Sequence, residues 1–235
     1  MNRDIFTPVP NEANMSKTAI INYLCGHGIV AIVRADGGGD DLVRVVEAVM
    51  EGGVRCIEVT MTTPGALQCI ETASAKLAGA DVCIGVGTVL DAETARLALL
   101  AGAQYVVSPV TVPEVIAMAH RYGRPCLPGA WTPTEIFRAW ELGGDIIKVF
   151  PATVGGLEYI KAVRAPLPQI PLCPTGGVDL DNLADFVNAG VVAIGVGSNL
   201  VSKKLVQARD FAGLTENARR YAEAFAQARS EKVTA

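Results

Sequence analysis

Lys148 lies where a lysine is rarely tolerated, inside the apolar run DIIKVFP that covers residues 145–151. Side chains alternate along a strand, so Lys148 would share one face with Ile146 and Phe150. A buried ammonium group is either paired or functional, because desolvating a lone charge is costly. The remaining interpretation is a lysine whose charged end reaches solvent at the edge of the protein. We favour a functional amine.

A carboxylate occupies a comparable place in the second apolar run, where Glu58 shares a face with Cys56 and Thr60 in RCIEVT. Glu58 could form a purely structural ion pair with Lys148. Burying such a pair contributes little to stability, because the cost of desolvation tends to offset the attraction. A lysine and a glutamate that point into one cavity are therefore interpreted as a catalytic pair.

Two further polar residues stand at the ends of apolar runs. Arg34 ends the run IVAIVR, and Thr88 follows another run in GVGTV. A guanidinium group matches a carboxylate with two parallel hydrogen bonds. Together with Lys148, these residues indicate a site for a carbonyl compound that also carries a carboxylate.

Glycine-rich turns follow the last two apolar runs, as PTGGVD over residues 174–179 and GVGSN over residues 195–199. Loops after the last two strands of a (β/α)8 barrel often bind phosphate through backbone N–H groups and a helix N-terminus. No lysine or arginine lies between Thr175 and Leu200, so neutral donors would hold the phosphate. The alternative is that these glycines serve only the close packing of helix on strand.

The elements that must position these groups repeat as one unit from residue 29 onward: a short apolar run, a polar or glycine-rich loop, and an amphipathic stretch. Short apolar runs bounded by turn residues are typical of strands buried on both faces. Glycines that precede such runs predict helix ends in the left-handed conformation. The runs cover residues 29–34, 54–60, 81–86, 104–108, 125–129, 145–150, 170–174 and 191–196, and the glycines are Gly52, Gly79, Gly102, Gly123, Gly143 and Gly190.

Eight such units without a linker predict an α/β fold, namely a closed (β/α)8 TIM barrel of parallel strands. The alternative is an open doubly wound sheet, which usually carries G-x-G-x-x-G after its first strand, and RADGGGDD lacks that spacing. Residues 15–26 predict an extra N-terminal helix, and residues 206–229 predict a C-terminal helix. We expect residues 1–14 to form an N-terminal extension and residues 15–235 to form a single barrel domain. Other helices are expected to begin at Asp91, Thr132 and Asp179.

Composition narrows the class of partner. The net charge is -4 and there is no basic stripe, so nucleic acid is not an expected partner. The six cysteines form no C-x-x-C pair and only two histidines could join them, so structural zinc has poor support and buried free thiols in a reducing cytosol are expected. The first residues lack the apolar stretch of a signal peptide, and no apolar run reaches the roughly 18 residues of a membrane span. We therefore expect a cytoplasmic protein with no membrane contact.

From about residue 18 to residue 225, the chain resembles the class I 2-keto-3-deoxy-6-phosphogluconate aldolases. That family also includes the 4-hydroxy-2-oxoglutarate and 2-keto-3-deoxy-6-phosphogalactonate aldolases. The motifs that carry the resemblance are IVAIVRA, EVT, GVGTVLD, GAQYVVSP, PGAWTPTE, KVFP, PTGGV and GVGSNLV, in this order. The resemblance implies a (β/α)8 barrel, no metal or other cofactor, a homotrimer, and a place in the Entner-Doudoroff pathway of carbohydrate metabolism.

The resemblance also implies roles for individual residues. Lys148 would be the lysine that forms the imine, and Glu58 would be the general acid and base. The remaining expected roles are the pyruvate carboxylate site at Arg34 and Thr88, the pocket wall at Pro109 and Phe150, and the phosphate end at Thr175, Gly176, Gly177, Gly197 and Ser198. The chain departs from the family pattern at two positions. Thr62 stands where many members have an arginine, and Trp131 stands where a smaller residue is expected.

The expected reaction is retro-aldol cleavage of 2-keto-3-deoxy-6-phosphogluconate to pyruvate and glyceraldehyde 3-phosphate. Lys148 would form an iminium ion at C2, and Glu58 would take the proton of the C4 hydroxyl group. The same chemistry on 4-hydroxy-2-oxoglutarate or on 2-keto-3-deoxy-6-phosphogalactonate is the alternative. Outside this class, the candidates are a sugar-phosphate isomerase or epimerase, which needs no covalent lysine, and a non-catalytic sugar-acid-binding barrel.

Overall fold

The predicted apolar runs form the strands of a parallel barrel, and the amphipathic stretches form helices around it. The computed structural model describes residues 15–35 and 39–234. The strands are β1 Ile29–Val33, β2 Cys56–Thr60, β3 Cys83–Gly87, β4 Val106–Val107, β5 Cys126–Leu127, β6 Gly129–Ala130, β7 Ile147–Val149, β8 Leu172–Pro174 and β9 Ile194–Val196. The helices are α1 Lys17–His27, α2 Asp40–Glu51, α3 Ala66–Lys76, α4 Ala92–Leu100, α5 Pro113–Arg121, α6 Pro133–Glu141, α7 Ala152–Arg164, α8 Leu183–Asn188, α9 Lys203–Gln207 and α10 Phe211–Thr234.

The strands close into a ring. One sheet has the order β5-β4-β3-β2-β1-β9 and the other has the order β6-β7-β8. β5 and β6 are two parts of the fifth barrel strand, on either side of Pro128, whose carbonyl still accepts the Lys148 N–H at 3.0 Å. A parallel bridge between Thr175 and Gly195 joins β8 to β9. The (β/α)8 barrel is therefore confirmed, and the open doubly wound alternative is wrong.

Local capping explains where several helices begin. The Asp91 carboxylate accepts the backbone N–H of Thr94 at 2.6 Å, and α4 begins directly after Asp91 as predicted. Thr132 starts α6 with a complete capping box. The predicted start at Asp179 is wrong, because its carboxylate accepts the N–H groups of residues 181 and 182 in a turn, and α8 begins only at Leu183.

Five of the six predicted glycine helix ends have positive φ, and Gly52 is the exception. Its φ is -72°, and the next residue, Gly53, takes the left-handed conformation with φ 95°. A Cβ atom at Gly52 would lie 2.4 Å from the carbonyl oxygen of Thr215 in α10. Gly52 is therefore needed for the close approach of α2 and α10 rather than for its backbone freedom.

The extra N-terminal helix is confirmed as α1, and it closes the amino-terminal end of the barrel. Ile20 and Leu24 of α1 are fully buried and belong to the same apolar cluster as the side chains that fill the barrel interior. Lys17 adds an ion pair to Asp145, with Nζ and Oδ1 2.7 Å apart. The expected extension over residues 1–14 lies outside the described residues.

The predicted C-terminal helix over residues 206–229 is divided into α9 and α10. Arg209 between them has φ 54°, which a right-handed helix does not accept. The Asp210 carboxylate then accepts the N–H of Gly213 at 2.8 Å and supports the first turn of α10. α10 packs against α2 and α8 and covers the side of the barrel where the ring closes.

Candidate active site

The strand that carries Lys148 places its amine inside the barrel. Ile146 belongs to the interior cluster, whereas Ile147 and Val149 belong to the core between strands and helices. This confirms the alternation predicted for β7. The whole Lys148 residue is 6% exposed, so its charged end does not reach out into bulk solvent at the edge of the protein.

Glu58 is the acidic partner of Lys148. Its Oε1 atom lies 3.9 Å from Lys148 Nζ, and Glu58 is only 2% exposed. A Cβ atom at Gly87 on the neighbouring β3 would be 1.7 Å from that same Oε1 atom, so the missing side chain makes room for the carboxylate. The separation of 3.9 Å exceeds hydrogen-bond length, which leaves the carboxylate free to exchange protons with a bound substrate.

The surroundings of Lys148 leave its amine without a competing nucleophile. Cys173 on β8 lies beside Lys148 in the strand register. Burial raises the pKa of the Cys173 thiol to about 12, so the thiol stays protonated at neutral pH. The Phe150 ring centroid is 5.4 Å from Nζ and forms an apolar wall on another side. Between the Lys148 and Cys173 side chains, the Lys148 amine is the candidate nucleophile.

Arg34 and Thr88 stand at the carboxyl ends of strands close to Glu58. Arg34 follows β1 with an exposed side chain, beside Thr60 in the β1–β2 register. Thr88 comes directly after β3 and has φ 58°, a left-handed conformation that costs energy for a β-branched residue. Thr62, at the position where the resemblance led us to expect arginine, shares a hydrogen bond of 3.1 Å with Thr60. Arg34, directly after β1, places a cation at this edge.

The glycine turns meet across the β8–β9 bridge. Gly176 and Gly177 have φ 89° and 77°, so the turn after β8 requires glycine at both positions. A Cβ atom at Gly197 would meet nothing within 4 Å, which leaves open space above its backbone beside exposed Ser198. Thr175 is buried, and its hydroxyl donates to the Cys173 carbonyl at 3.3 Å. α8 begins only at Leu183, so the residues that directly follow the turn after β8 are loop rather than helix.

Pro109 and Phe150 line a cavity of about 520 Å³ at the mouth, together with Trp131. Gly129 allows this arrangement, since a Cβ atom there would lie 2.2 Å from the carbonyl oxygen of Pro109. Lys148 does not line the cavity itself, whereas Phe150 lines it and has its ring centroid 5.4 Å from Lys148 Nζ. A larger hollow of about 760 Å³ lies near α1 around Tyr23, and it contains none of the predicted site residues.

Some residues that shape the site were not identified from the sequence. Gly85 and Gly87 lie two positions apart on β3, so they share the face that meets Glu58 on β2. Two glycines with this spacing in a predicted strand next to the strand of a buried carboxylate are a signal that could have identified both glycines. Tyr159, which stacks on Trp131, lies in an amphipathic helix where the pattern gives no sign of a site contact. Among the described residues, no cluster of three or more His, Cys, Asp or Glu side chains could hold a metal ion.

Comparisons with known proteins point to one family. A family model described as KDPG and KHG aldolase matches residues 20–217. A 2-dehydro-3-deoxy-phosphogluconate aldolase of Treponema pallidum is 42% identical over 178 residues, which is 75% of this chain and 83% of the relative. A Pseudomonas aeruginosa protein of the same name is 36% identical over 91% of this chain and 96% of the relative.

A solved structure of a KDPG aldolase also has the same fold as this chain. KDPG aldolase from Legionella pneumophila, with pyruvate captured as a covalent carbinolamine, superimposes with a TM-score of 0.78 at 26% identity. The match covers 85% of this chain and 96% of the other. In the part of the chain that the structure describes, no helix is both long and apolar enough to cross a membrane.

Proposed function

Because this chain belongs to the KDPG and KHG aldolase family, we propose that it cleaves 2-keto-3-deoxy-6-phosphogluconate to pyruvate and glyceraldehyde 3-phosphate through a Schiff base on Lys148. The protein is an aldolase, and therefore a lyase. The observation that carries the proposal is the buried pair of Lys148 and Glu58, 3.9 Å apart inside the barrel.

The proposed reaction assigns one task to each member of this pair. The neutral Lys148 amine attacks C2 of the substrate, and loss of water gives an iminium ion. Glu58 takes the C4 hydroxyl proton as the C3–C4 bond breaks, and the electron pair moves into the iminium to form an enamine. A proton returned to C3 and hydrolysis of the imine then release pyruvate and restore the lysine.

Two groups of residues at the carboxyl ends of the strands are candidate sites for the two ends of the substrate. Arg34 and Thr88 follow β1 and β3, next to the strand of Glu58, and suit the carboxylate. The glycine turns after β8 and β9 offer open space and backbone N–H groups for the phosphate. This arrangement supports a substrate with an anionic group at each end.

The identity of the sugar acid is the second question. A 2-dehydro-3-deoxy-6-phosphogalactonate aldolase of Escherichia coli is 37% identical over 73% of this chain, and the family model also includes KHG aldolases. The substrate is identified by comparing kcat/KM for the gluconate, galactonate and 4-hydroxy-2-oxoglutarate compounds. We expect the highest value for 2-keto-3-deoxy-6-phosphogluconate, and a higher value for either of the others would replace our assignment.

Pyruvate with borohydride tests the chemistry itself. Reduction of the imine should add a stable adduct whose mass maps to Lys148. The matched control is Lys161→Ala, which removes an exposed lysine paired with Glu158 and should label normally. An isomerase, an epimerase or a non-catalytic sugar-acid-binding protein should give no adduct, and an adduct on another lysine would contradict the assignment of Lys148.

A homotrimer in the cytoplasm and a role in the Entner-Doudoroff pathway complete the proposal. Large apolar side chains on and near α4 are exposed, as expected where copies of the chain meet: Leu90, Leu97 and Leu100. A solved structure that matches with a TM-score of 0.81 is a designed cage made by fusing symmetric oligomeric domains. Analytical ultracentrifugation should give three times the chain mass, and Leu97→Glu should reduce it.

A further inference from the structure

Phe150 divides the barrel mouth into two halves. On one side its ring faces Gly176, where a Cβ atom would be 3.8 Å from the ring carbon Cε2. We call the turns on that side, at Gly176, Gly177, Gly197 and Ser198, the glycine half. On the other side the ring lines the cavity of about 520 Å³. We call that cavity, with walls at Pro109, Ala130, Trp131 and Phe150, the aromatic half.

The Phe150 ring, which both halves share, lies close to the Lys148 amine. The Phe150 ring centroid is 5.4 Å from Lys148 Nζ. The register pairs Gly129 with Lys148 and Ala130 with Val149, so Trp131 follows beside Phe150 at the end of the neighbouring strand. An aldehyde that meets the enamine on Lys148 can therefore extend to either side of Phe150.

Trp131 is fixed in place as the outer wall of the aromatic half. Its ring stacks on Tyr159, with centroids 4.4 Å apart and planes 19° from parallel. The Tyr159 hydroxyl donates to the Trp131 backbone carbonyl, and the Trp131 backbone N–H donates to Glu135 Oε2 at 2.9 Å. A wall that is already ordered loses little conformational entropy when a ligand packs against it.

The aromatic half differs from the glycine half in the ligand that it favours. A Cβ atom at Gly155 would lie 2.8 Å from the Trp131 ring carbon Cη2, so the indole reaches across to the start of α7. Ala130, Trp131 and Phe150 all line the cavity. Aromatic rings in a cavity wall favour an apolar or aromatic body, which gains by leaving water.

We infer that the aromatic half is a second acceptor pocket, specific for unphosphorylated aldehydes with an aromatic or branched aliphatic body. This inference rests on the proposed aldolase function and concerns the reverse, condensing direction. The enamine carbon derived from pyruvate forms a bond to the aldehyde carbon, and the carbonyl π electrons move to its oxygen, which takes the proton held by Glu58. Water then hydrolyses the iminium ion, which releases a 4-hydroxy-2-oxo acid and the free Lys148 amine.

The first test compares two acceptors, benzaldehyde and glyceraldehyde 3-phosphate, in condensation with pyruvate. Trp131→Ala should lower kcat/KM for benzaldehyde relative to glyceraldehyde 3-phosphate by about tenfold, because the stacking wall is lost. Trp131→Phe should restore most of that ratio. Trp140→Ala is the matched control, since Trp140 lies on α6 outside the cavity and packs beside Phe137. Gly197→Val should change the ratio in the opposite direction, by filling the glycine half.

The outcomes separate the inference from the function on which it rests. If the protein condenses neither aldehyde with pyruvate, the proposed aldolase function is wrong. If it condenses glyceraldehyde 3-phosphate but not benzaldehyde, the second pocket is wrong. An equal loss for both aldehydes in Trp131→Ala would assign Trp131 to packing alone and would also overturn the inference.

A second test measures occupancy without chemistry. The chain has two tryptophans, so Trp140→Phe leaves Trp131 as the sole indole reporter. The probe is 4-nitrobenzyl alcohol, an unreactive analogue whose nitro ring quenches indole fluorescence on contact. We expect saturable quenching in this variant. Quenching that rises linearly, as it does for free tryptophan, would show that nothing binds against Trp131.

Discussion

The upper and lower parts of the barrel interior come from the same strands but have opposite character. The upper layer is the one nearer the carboxyl ends of the strands, and its side chains are polar. The lower layer consists of packed side chains two positions earlier on the same strands: Cys56 below Glu58, Ile146 below Lys148, and Cys173 below Thr175. One alternation step along a strand covers about 7 Å. The candidate catalytic side chains of the upper layer are therefore about 7 Å from the packed side chains of the lower layer.

The two layers also differ in what covers them. The lower layer is covered by α1, through Ile20 and Leu24, which are fully buried. The upper layer opens towards the mouth, where Phe150 is 38% exposed. Substitutions in the upper layer should therefore change catalysis, and substitutions in the lower layer should change stability. The following predictions test that separation.

The largest effect is expected in the upper layer, for Lys148→Ala. Cleavage should fall to background and the borohydride adduct with pyruvate should disappear, because Lys148 supplies the amine beside Glu58. Lys148→Arg should be equally inactive, since a guanidinium group stays protonated. Circular dichroism should show a folded barrel for both variants, and Lys161→Ala should behave as wild type. Substantial cleavage by either Lys148 variant would refute the Schiff base.

Glu58→Gln should have the next largest effect. General acid and base groups typically contribute about 10²–10⁴-fold to the rate, and we expect kcat for cleavage to fall within that range. Imine formation with pyruvate should slow less, because the amine remains in place. Single-turnover kinetics with and without borohydride would separate the two steps. A variant that cleaves at nearly the wild-type rate would reduce Glu58 to a structural counter-ion.

Leu24→Ala tests the lower layer. Truncating a fully buried leucine typically costs about 2–5 kcal/mol of stability, and urea denaturation should show a loss of this size. The value of kcat at a temperature where the variant is folded should stay close to wild type. Thr18→Ala, on the exposed side of α1, is the control and should change neither quantity. If kcat fell with Leu24→Ala, the two layers would be coupled.

The sequence predicted which side chains point into the barrel better than it predicted where individual helices begin. The period of two in DIIKVFP and RCIEVT is sufficient to place Lys148 and Glu58 inside the barrel, because the barrel offers only two faces to each strand residue. The start of α8 was missed because an Asp side chain can support a turn as well as a helix, and Asp179 supports a turn.

Contacts between distant parts of the chain could not be predicted from local patterns. Trp131 and Tyr159 stack across the mouth although 28 positions separate them. Gly52 was expected to end a helix by its backbone conformation, whereas it is required because α10 approaches it closely. The Trp131–Tyr159 contact and the close approach at Gly52 both depend on tertiary packing. Tertiary packing leaves no periodic signal in the sequence around these residues.

Tyr105 in the lower layer has a buried hydroxyl group whose effect on stability can be measured. It is fully buried, and its hydroxyl has no hydrogen-bond partner among the described residues. The para end of the ring lies over Gly85, where a Cβ atom would be 2.4 Å from ring carbon Cζ. Burial raises the pKa of the Tyr105 phenol well above its ordinary value, so the group remains neutral. A buried hydroxyl group without a partner costs roughly 1–3 kcal/mol.

Tyr105→Phe removes this hydroxyl and keeps the ring, so it should raise the free energy of unfolding by about 1 kcal/mol. The matched control is Tyr221→Phe, because Tyr221 is 2% exposed and its hydroxyl interacts with the backbone N–H of Leu180. That substitution should lower stability by about 1 kcal/mol, since it removes this hydrogen bond. Urea denaturation of both variants shows directly whether the free energy of unfolding rises or falls. Because Tyr105 lies in the lower layer, kcat should remain within about twofold of wild type. A loss of stability in Tyr105→Phe would mean that the hydroxyl is bonded, and a large loss of kcat would mean that the lower layer takes part in the chemistry above it.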